Sequence, residues 1–396
     1  MHISAREAPN HLLRAGVDKG QCKKSWATLN RGLIAYRLGR LDDARIDFES
    51  VLNASPDNLE AARLLSVVHM AQSSLELALE TLLKIAETDP NDVITQHNLG
   101  NVLGELGRSD EAIIHYDNAL ALGCDDFDLH KNRAITLTEL GDFSAALDSY
   151  KNALQHFVDG SLLNSCGVLL NRMNRSEEAL SYFEQSLVLD PDYFEANYNL
   201  SGCLVENKAP DDALVFIDKA LELEPLHAGA LNRRGEILLA LKRFDQCLST
   251  FEVLLKSDPD SENALFGIGQ LYIEMGAPQK SIEHLDTAIR NNPKSPWLLF
   301  CRAKAFRNAE LSESAIKDYE SAIALRADME PFYTNLGNIY RDVHRFDEAL
   351  VCHERACSLS PESVTPKNNL ALTFKDLGRF SEALESYDRA LSLEPD

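Results

Sequence analysis

The sequence is poor in the residues and runs that most functional classes require. Its 396 residues include eight cysteines, at positions 22, 124, 166, 203, 247, 301, 352 and 357, and no Cys-x-x-Cys pair. That density is far below a disulfide scaffold and lacks zinc-ribbon spacing, so the thiols read as reduced in a cytoplasmic compartment. No apolar run approaches the roughly 20 residues of a spanning helix. The start, Met1-His2-Ile3-Ser4-Ala5-Arg6-Glu7, has no hydrophobic signal core, and no membrane insertion is expected. Basic residues are in deficit: 39 Lys and Arg stand against 62 Asp and Glu, for a net charge of −23. This balance disfavours a nucleic-acid partner recognised through overall charge.

Catalytic signatures are missing as well. There is no phosphate-cradling glycine loop, no His-Glu-x-x-His and no nucleophile elbow. The 11 histidines are dispersed, without metal spacing to cysteines or acids. Cys352, His353 and Cys357 share one stretch, but their i, i+1 and i+5 spacing does not converge on a helix. The expectation is a non-enzymatic chain with no cofactor and no metal. Disorder is excluded by 45% hydrophobic and 26% charged residues.

What the chain does have is internal repetition. Asn98-Leu99-Gly100-Asn101 returns as Asn335-Leu336-Gly337-Asn338, and Asp110-Glu111-Ala112-Ile113 returns as Asp347-Glu348-Ala349-Leu350. A period of 34 lays out eleven repeats, starting at residues 25, 59, 93, 127, 160, 194, 228, 262, 296, 330 and 364. Position 8 of each repeat is small (Gly32, Gly100, Gly235, Gly337), and so is position 20 (Ala44, Ala112, Ala349). Position 24 is mostly bulky (Phe48, Tyr116, Phe183), and Pro fills position 32 in eight repeats, with Cys124, Val158 and Ala327 as the departures. Apolar spacing of i, i+3, i+4 and i+7 predicts two amphipathic helices per repeat. Small residues let the two backbones approach, and the bulky one fills the groove beside them. Gly39, Gly107, Gly141, Gly276 and Gly378, near position 15, suit a helix C-terminus. His69 and His353 fall at usually apolar positions, which predicts local looseness there.

This pattern resembles the tetratricopeptide repeat over residues 25–396. The resemblance implies an all-α, right-handed superhelical α-solenoid of about eleven 34-residue helix-turn-helix units. Residues 1–24 form a weakly structured segment, with one short turn or helix at Asn10–Val17, and 25–396 form a single array. In this family the first helices line a concave groove through positions 2, 5, 6, 9, 12 and 13. Carried over, this yields a ladder of amides at Asn30, Asn98, Asn101, Asn132, Asn199, Asn335, Asn338 and Asn369. An amide both donates and accepts, so a ladder can hold an extended peptide backbone. The ladder breaks at Ser165, Arg233, Gly267 and Cys301. Around that break Arg233, Phe266, Trp297, Phe300, Lys304 and Arg307 suggest a specificity pocket of aromatics and cations. The lining is nearly neutral, nine basic against ten acidic side chains, so the acidic excess falls on the outer helices and turns. No three successive repeats supply the Lys and Asn set of a terminal-carboxylate clamp.

The expected function is a non-catalytic scaffold that binds an extended peptide or helix of a partner protein. The alternative is the substrate-recognition arm of a protein O-linked N-acetylglucosamine transferase-like enzyme, with its catalytic domain beyond residue 396. The ending Ser392-Leu393-Glu394-Pro395-Asp396 adds no capping helix. The face around Leu370, Phe374, Leu384 and Leu391 would then lack a cover. The expectation is a fragment of a longer protein, with that end open to end-to-end self-association.

Overall fold

The computed structural model describes residues 19–393, and every element among them is a helix. The expected turn at Asn10–Val17, and Pro395 and Asp396, lie outside the described residues. Contacts divide the chain between Leu189 and Asp190, in a turn that joins two helix hairpins, into two compact halves.

The N-terminal half contains α1 (Lys19–Arg37), α2 (Leu41–Ala54), α3 (Leu59–Ala71), α4 (Leu75–Thr88) and α5 (Val93–Glu105). It continues with α6 (Ser109–Ala121), α7 (Phe127–Leu140), α8 (Phe143–His156), α9 (Gly160–Arg172) and α10 (Ser176–Leu189). The C-terminal half contains α11 (Phe194–Glu206), α12 (Pro210–Leu223), α13 (Ala228–Ala240), α14 (Phe244–Ser257), α15 (Glu262–Glu274) and α16 (Pro278–Asn291). It ends with α17 (Pro296–Asn308), α18 (Ser312–Leu325), α19 (Glu330–Asp342), α20 (Phe346–Leu359), α21 (Val364–Asp376) and α22 (Phe380–Leu393). Within each half odd and even helices pair into hairpins, and each even helix packs on the next odd one. Each half is thus an all-α solenoid segment.

The small residue at position 8 has a direct steric cause. A Cβ built on Gly100 would lie 2.6 Å from the ring of Tyr116, and one on Gly167 would lie 2.6 Å from Phe183. Phe251 is wedged more tightly: Cβ atoms on Gly235 of its own hairpin and on Gly267 of the next would each lie 2.3 Å from its Cζ. The rings are fully buried and fill the space those missing side chains leave. At position 24 His353 takes the ring's place over Gly337. It is fully buried, not loose, with Nδ1 2.7 Å from Thr373 Oγ1. His69 is buried as well. Burial, aided by the nearby Arg341 cation, pushes the His353 imidazole down to about 4.

Every first helix ends on a left-handed residue at position 15. The five expected glycines adopt it, and so do Ser73, Asn174, Lys208, Lys242, Glu310 and His344, with φ between 56° and 60°. The closing bonds recur: Gly107 N donates to Gly104 O and Arg108 N to Leu103 O. Geometry common to all eleven hairpins therefore overrides the cost of the αL region for six non-glycine residues. Several helix starts are capped by side chains, among them Asn58, Asp92, Asp126, Asp142 and Ser295.

A second inter-hairpin device is ionic. At position 7 four repeats carry Arg where the others carry an apolar residue. Arg302 Nε donates to Asp318 of its own hairpin at 2.7 Å, and Nη1 donates to Asp286 of the preceding hairpin at 2.7 Å. Arg133 joins Ser149 and Asp117 in the same register, and Arg234 joins Thr250 and Asp218. Arg31 pairs with Asp47 of its own hairpin. Asp318 and Asp47 are buried, so each guanidinium compensates a desolvated carboxylate.

Candidate functional site

The first-helix amides differ in what they bond. Asn101 Oδ1 accepts from Tyr116 Oη and from Asn132 Nδ2, both at 2.9 Å, so two neighbouring first helices share one amide link. Asn30 and Asn335 turn back to their own helices and donate to the carbonyls of Trp26 and Pro331. Asn98 is buried, and its Nδ2 has no hydrogen-bond partner among the described residues. Asn199, Asn338 and Asn369 are half-buried. The amides therefore do not act alike: some lock the solenoid, and Asn98 keeps a donor unspent.

The residues expected to form a specificity pocket fall into three separate environments. Phe300 is core: it is 6% exposed, stacks on Phe332 at 5.0 Å and meets Tyr319 edge-on at 5.7 Å. Trp297 bridges hairpins, with Phe332 at 5.2 Å on one side and Phe266 at 6.1 Å on the other. Amphipathic spacing could not distinguish these ring-on-ring contacts from exposed aromatics, because α17 has apolar residues on more than one face. Arg307 is engaged across first helices, donating through Nε and Nη2 to Asp342 at 3.1 and 2.7 Å. Arg341 repeats this with Asp376 one hairpin later. Lys304 reaches Gln270 Oε1 at 3.3 Å. The near-neutral balance of this face thus comes partly from direct pairs.

Arg233 belongs to the cavity on the first-helix face of α13. Its guanidinium lies 3.7 Å from the centre of the Tyr198 ring and donates to Tyr198 O. A Cβ on Gly202 would lie 3.0 Å from Arg233 Cζ, so Gly202 on α11 makes room for the cation. His227 caps α13 by accepting from Ala230 N at 3.1 Å and packs on Phe194 and Tyr198. Beside this stack is a cavity of about 260 Å³ lined by Tyr198, Gly229, Asn232, Arg233, Glu236 and Asn263, with Ala228, Leu254 and Ser261. Asn232 Nδ2 donates to Glu236 Oε1 at 2.8 Å, one turn further along α13. The cavity offers a fixed cation, an anion, amides and an aromatic face. Tyr198 and Asn232 at position 5 and Glu236 at position 9 fall among the expected groove-lining positions, but that register alone does not single them out from the other lining residues.

Linear spacing also missed a convergence at the turn between α6 and α7. His97, Cys124 and Asp126 bring one donor atom each within 4.8 Å of one another, and so do Asp125, His130 and His156. Burial first, then the nearby carboxylates, pushes the Cys124 thiol up to about 12. By contrast, Cys352 and His353 face different surroundings, and burial raises the Cys352 thiol to about 11. No helix among the described residues is long and apolar enough to cross a membrane.

Comparison with known proteins finds the same repeat. The mouse superkiller complex protein 3 is 25% identical over 188 residues, 47% of this chain and 11% of that protein. A UDP-N-acetylglucosamine–peptide N-acetylglucosaminyltransferase of Giardia intestinalis is 30% identical over 129 residues, 32% of this chain and 9% of that protein. The matched segments are therefore about a tenth of these relatives' lengths. Among solved structures, a tetratricopeptide repeat protein from Parabacteroides merdae superposes with a TM-score of 0.58 at 21% identity, covering 63% of this chain and 98% of that one. Family models described as tetratricopeptide repeat match residues 29–93, 97–158, 170–232, 204–264, 238–300, 332–360 and 367–396. With helix hairpins in the matching register and repeat matches over most of its length, the chain belongs to the tetratricopeptide repeat family.

Proposed function

We propose that this chain is a protein-interaction scaffold whose first-helix face binds an extended segment of a partner polypeptide. The observation that carries the reading is the cavity beside Tyr198 and Arg233. Its volume of about 260 Å³ is below the roughly 300–1,000 Å³ of small-molecule and cofactor pockets, and suits one side chain of a longer ligand. Arg233 is held by Tyr198 before any ligand arrives, so little rotamer freedom remains to be lost on binding. An acidic or amide side chain on the ligand would meet Arg233 and Asn232, and its backbone would run along the amides of neighbouring first helices.

The test is selection of binding peptides by the full chain from a displayed library, followed by affinity measurements on variants. Arg233→Ala and Asn232→Ala should each weaken binding at least tenfold with helicity unchanged. Selected peptides that bind both variants with parental affinity would show that this face is not the binding surface. A second reading is favoured by the likeness to the Giardia enzyme: the array would be the substrate-selecting arm of a peptide N-acetylglucosaminyltransferase-like protein. An in-frame glycosyltransferase domain downstream of residue 396 in the source gene would support it, and a stop codon there would reject it.

A further inference from the structure

The turn between α6 and α7 departs from the repeat. At position 32, where eight repeats have Pro, it has Cys124, preceded by Gly123 at φ 92°. Cys124, the adjacent Asp126 and the imidazole of His97 place their donor atoms within 4.8 Å of one another. His97 is distant in sequence but comes from α5, which packs beside α7. Asp126 is already oriented: as the cap of α7 it accepts from Leu129 N at 2.9 Å through Oδ1. Its Oδ2 accepts from the Cys124 thiol at 3.3 Å. His97 Nε2 is buried and has no hydrogen-bond partner among the described residues.

We propose that His97, Cys124 and Asp126 bind a divalent transition-metal ion, with Zn²⁺ as the natural occupant. One sulfur, one nitrogen and one oxygen form a set that Zn²⁺ accepts at about 2.3, 2.0–2.1 and 2.0–2.2 Å, with a fourth position left for water. The thiolate disfavours Ca²⁺ and Mg²⁺, which take oxygen donors. On binding, the Cys124 S–H bond breaks, its proton passes to the buffer, and the sulfur electron pair forms the bond to the metal, with no change of oxidation state. The backbone bond to Asp126 Oδ1 supplies the outer-shell support that aims a ligating carboxylate. The ion would tie α5, the turn and the start of α7 together.

The neighbouring trio on the same turn is a weaker candidate. Asp125 Oδ1 already accepts from the Nε2 atoms of His130 and His156, at 2.7 and 3.1 Å. Metal at His130 Nε2 would place the ring proton on Nδ1, which is buried and has no partner among the described residues.

The full chain, kept reduced with a phosphine, is titrated with Co²⁺ and then with Zn²⁺. One equivalent of Co²⁺ should bring thiolate-to-cobalt charge-transfer absorption and intense tetrahedral d–d bands, and Zn²⁺ should displace them. Cys124→Ser should abolish the charge-transfer band, and His97→Gln should weaken binding at least tenfold. The double variant His130→Gln, His156→Gln should retain both signals. Circular dichroism confirms that each variant is folded. Absence of a charge-transfer band, its survival in Cys124→Ser, or binding lost only in the double variant would each overturn the assignment.

Discussion

His353 offers a sharp test of how the hairpins are packed. It occupies the ring position of its repeat, fully buried over Gly337, with its imidazole at about 4. In the unfolded chain the same group titrates near 6.5. Because the folded value is depressed, the folded protein keeps the ring neutral while the unfolded chain takes up a proton. Stability is therefore complete above pH 6.5 and falls as pH drops towards 4, by about 1.4 kcal/mol per pH unit. Over the whole window the loss is about 3 kcal/mol. The informative variant is His353→Tyr, because Tyr116 and Tyr319 hold the same position in other repeats and stay buried there. Other, half-buried histidines, His97 and His284 among them, are also depressed and contribute in both proteins. Hydrogen exchange of α20 and α21 at pH 7 and pH 4.5, corrected for intrinsic rates, isolates the difference. The parent should lose about 2–3 kcal/mol more opening free energy than the variant. Equal losses would refute the claim that burial of this ring sets its titration.

Four further outcomes follow from packing, ion pairing and backbone geometry. Gly235→Ala should destabilise by about 1–3 kcal/mol in denaturant melts, because Phe251 is also pressed against Gly267 and cannot slide away. Gly104→Ala, where the nearest atom is Thr136 Oγ1 at 3.5 Å, should instead gain roughly 0.5–1 kcal/mol from helix propensity. Arg302→Leu should cost about 3–5 kcal/mol by stranding buried Asp318, and adding Asp318→Leu should restore much of it in a double-mutant cycle. Lys242→Gly relieves a left-handed residue at φ 56°; a net gain of roughly 0.5–1 kcal/mol should appear as slower exchange of α13 and α14.

The sequence by itself determined the repeat, the register and the pairing of small with bulky positions. These depend on helical periodicity and on local turns, both of which repeat every 34 residues. Gly100 against Tyr116 was legible because both obey that period. The tertiary structure decided what falls outside the period. It placed Phe300 in the core and Arg233 on Tyr198, since a single helix does not reveal which of its faces a neighbour covers. It turned the position-7 arginines Arg133, Arg234 and Arg302 into links between hairpins and made six non-glycine residues adopt αL. It also gathered His97, Cys124 and Asp126, which linear spacing had left dispersed. The physical reason is the same in each case: identities that break a repeat are settled by contacts between repeats, and those contacts exist only once the hairpins are stacked.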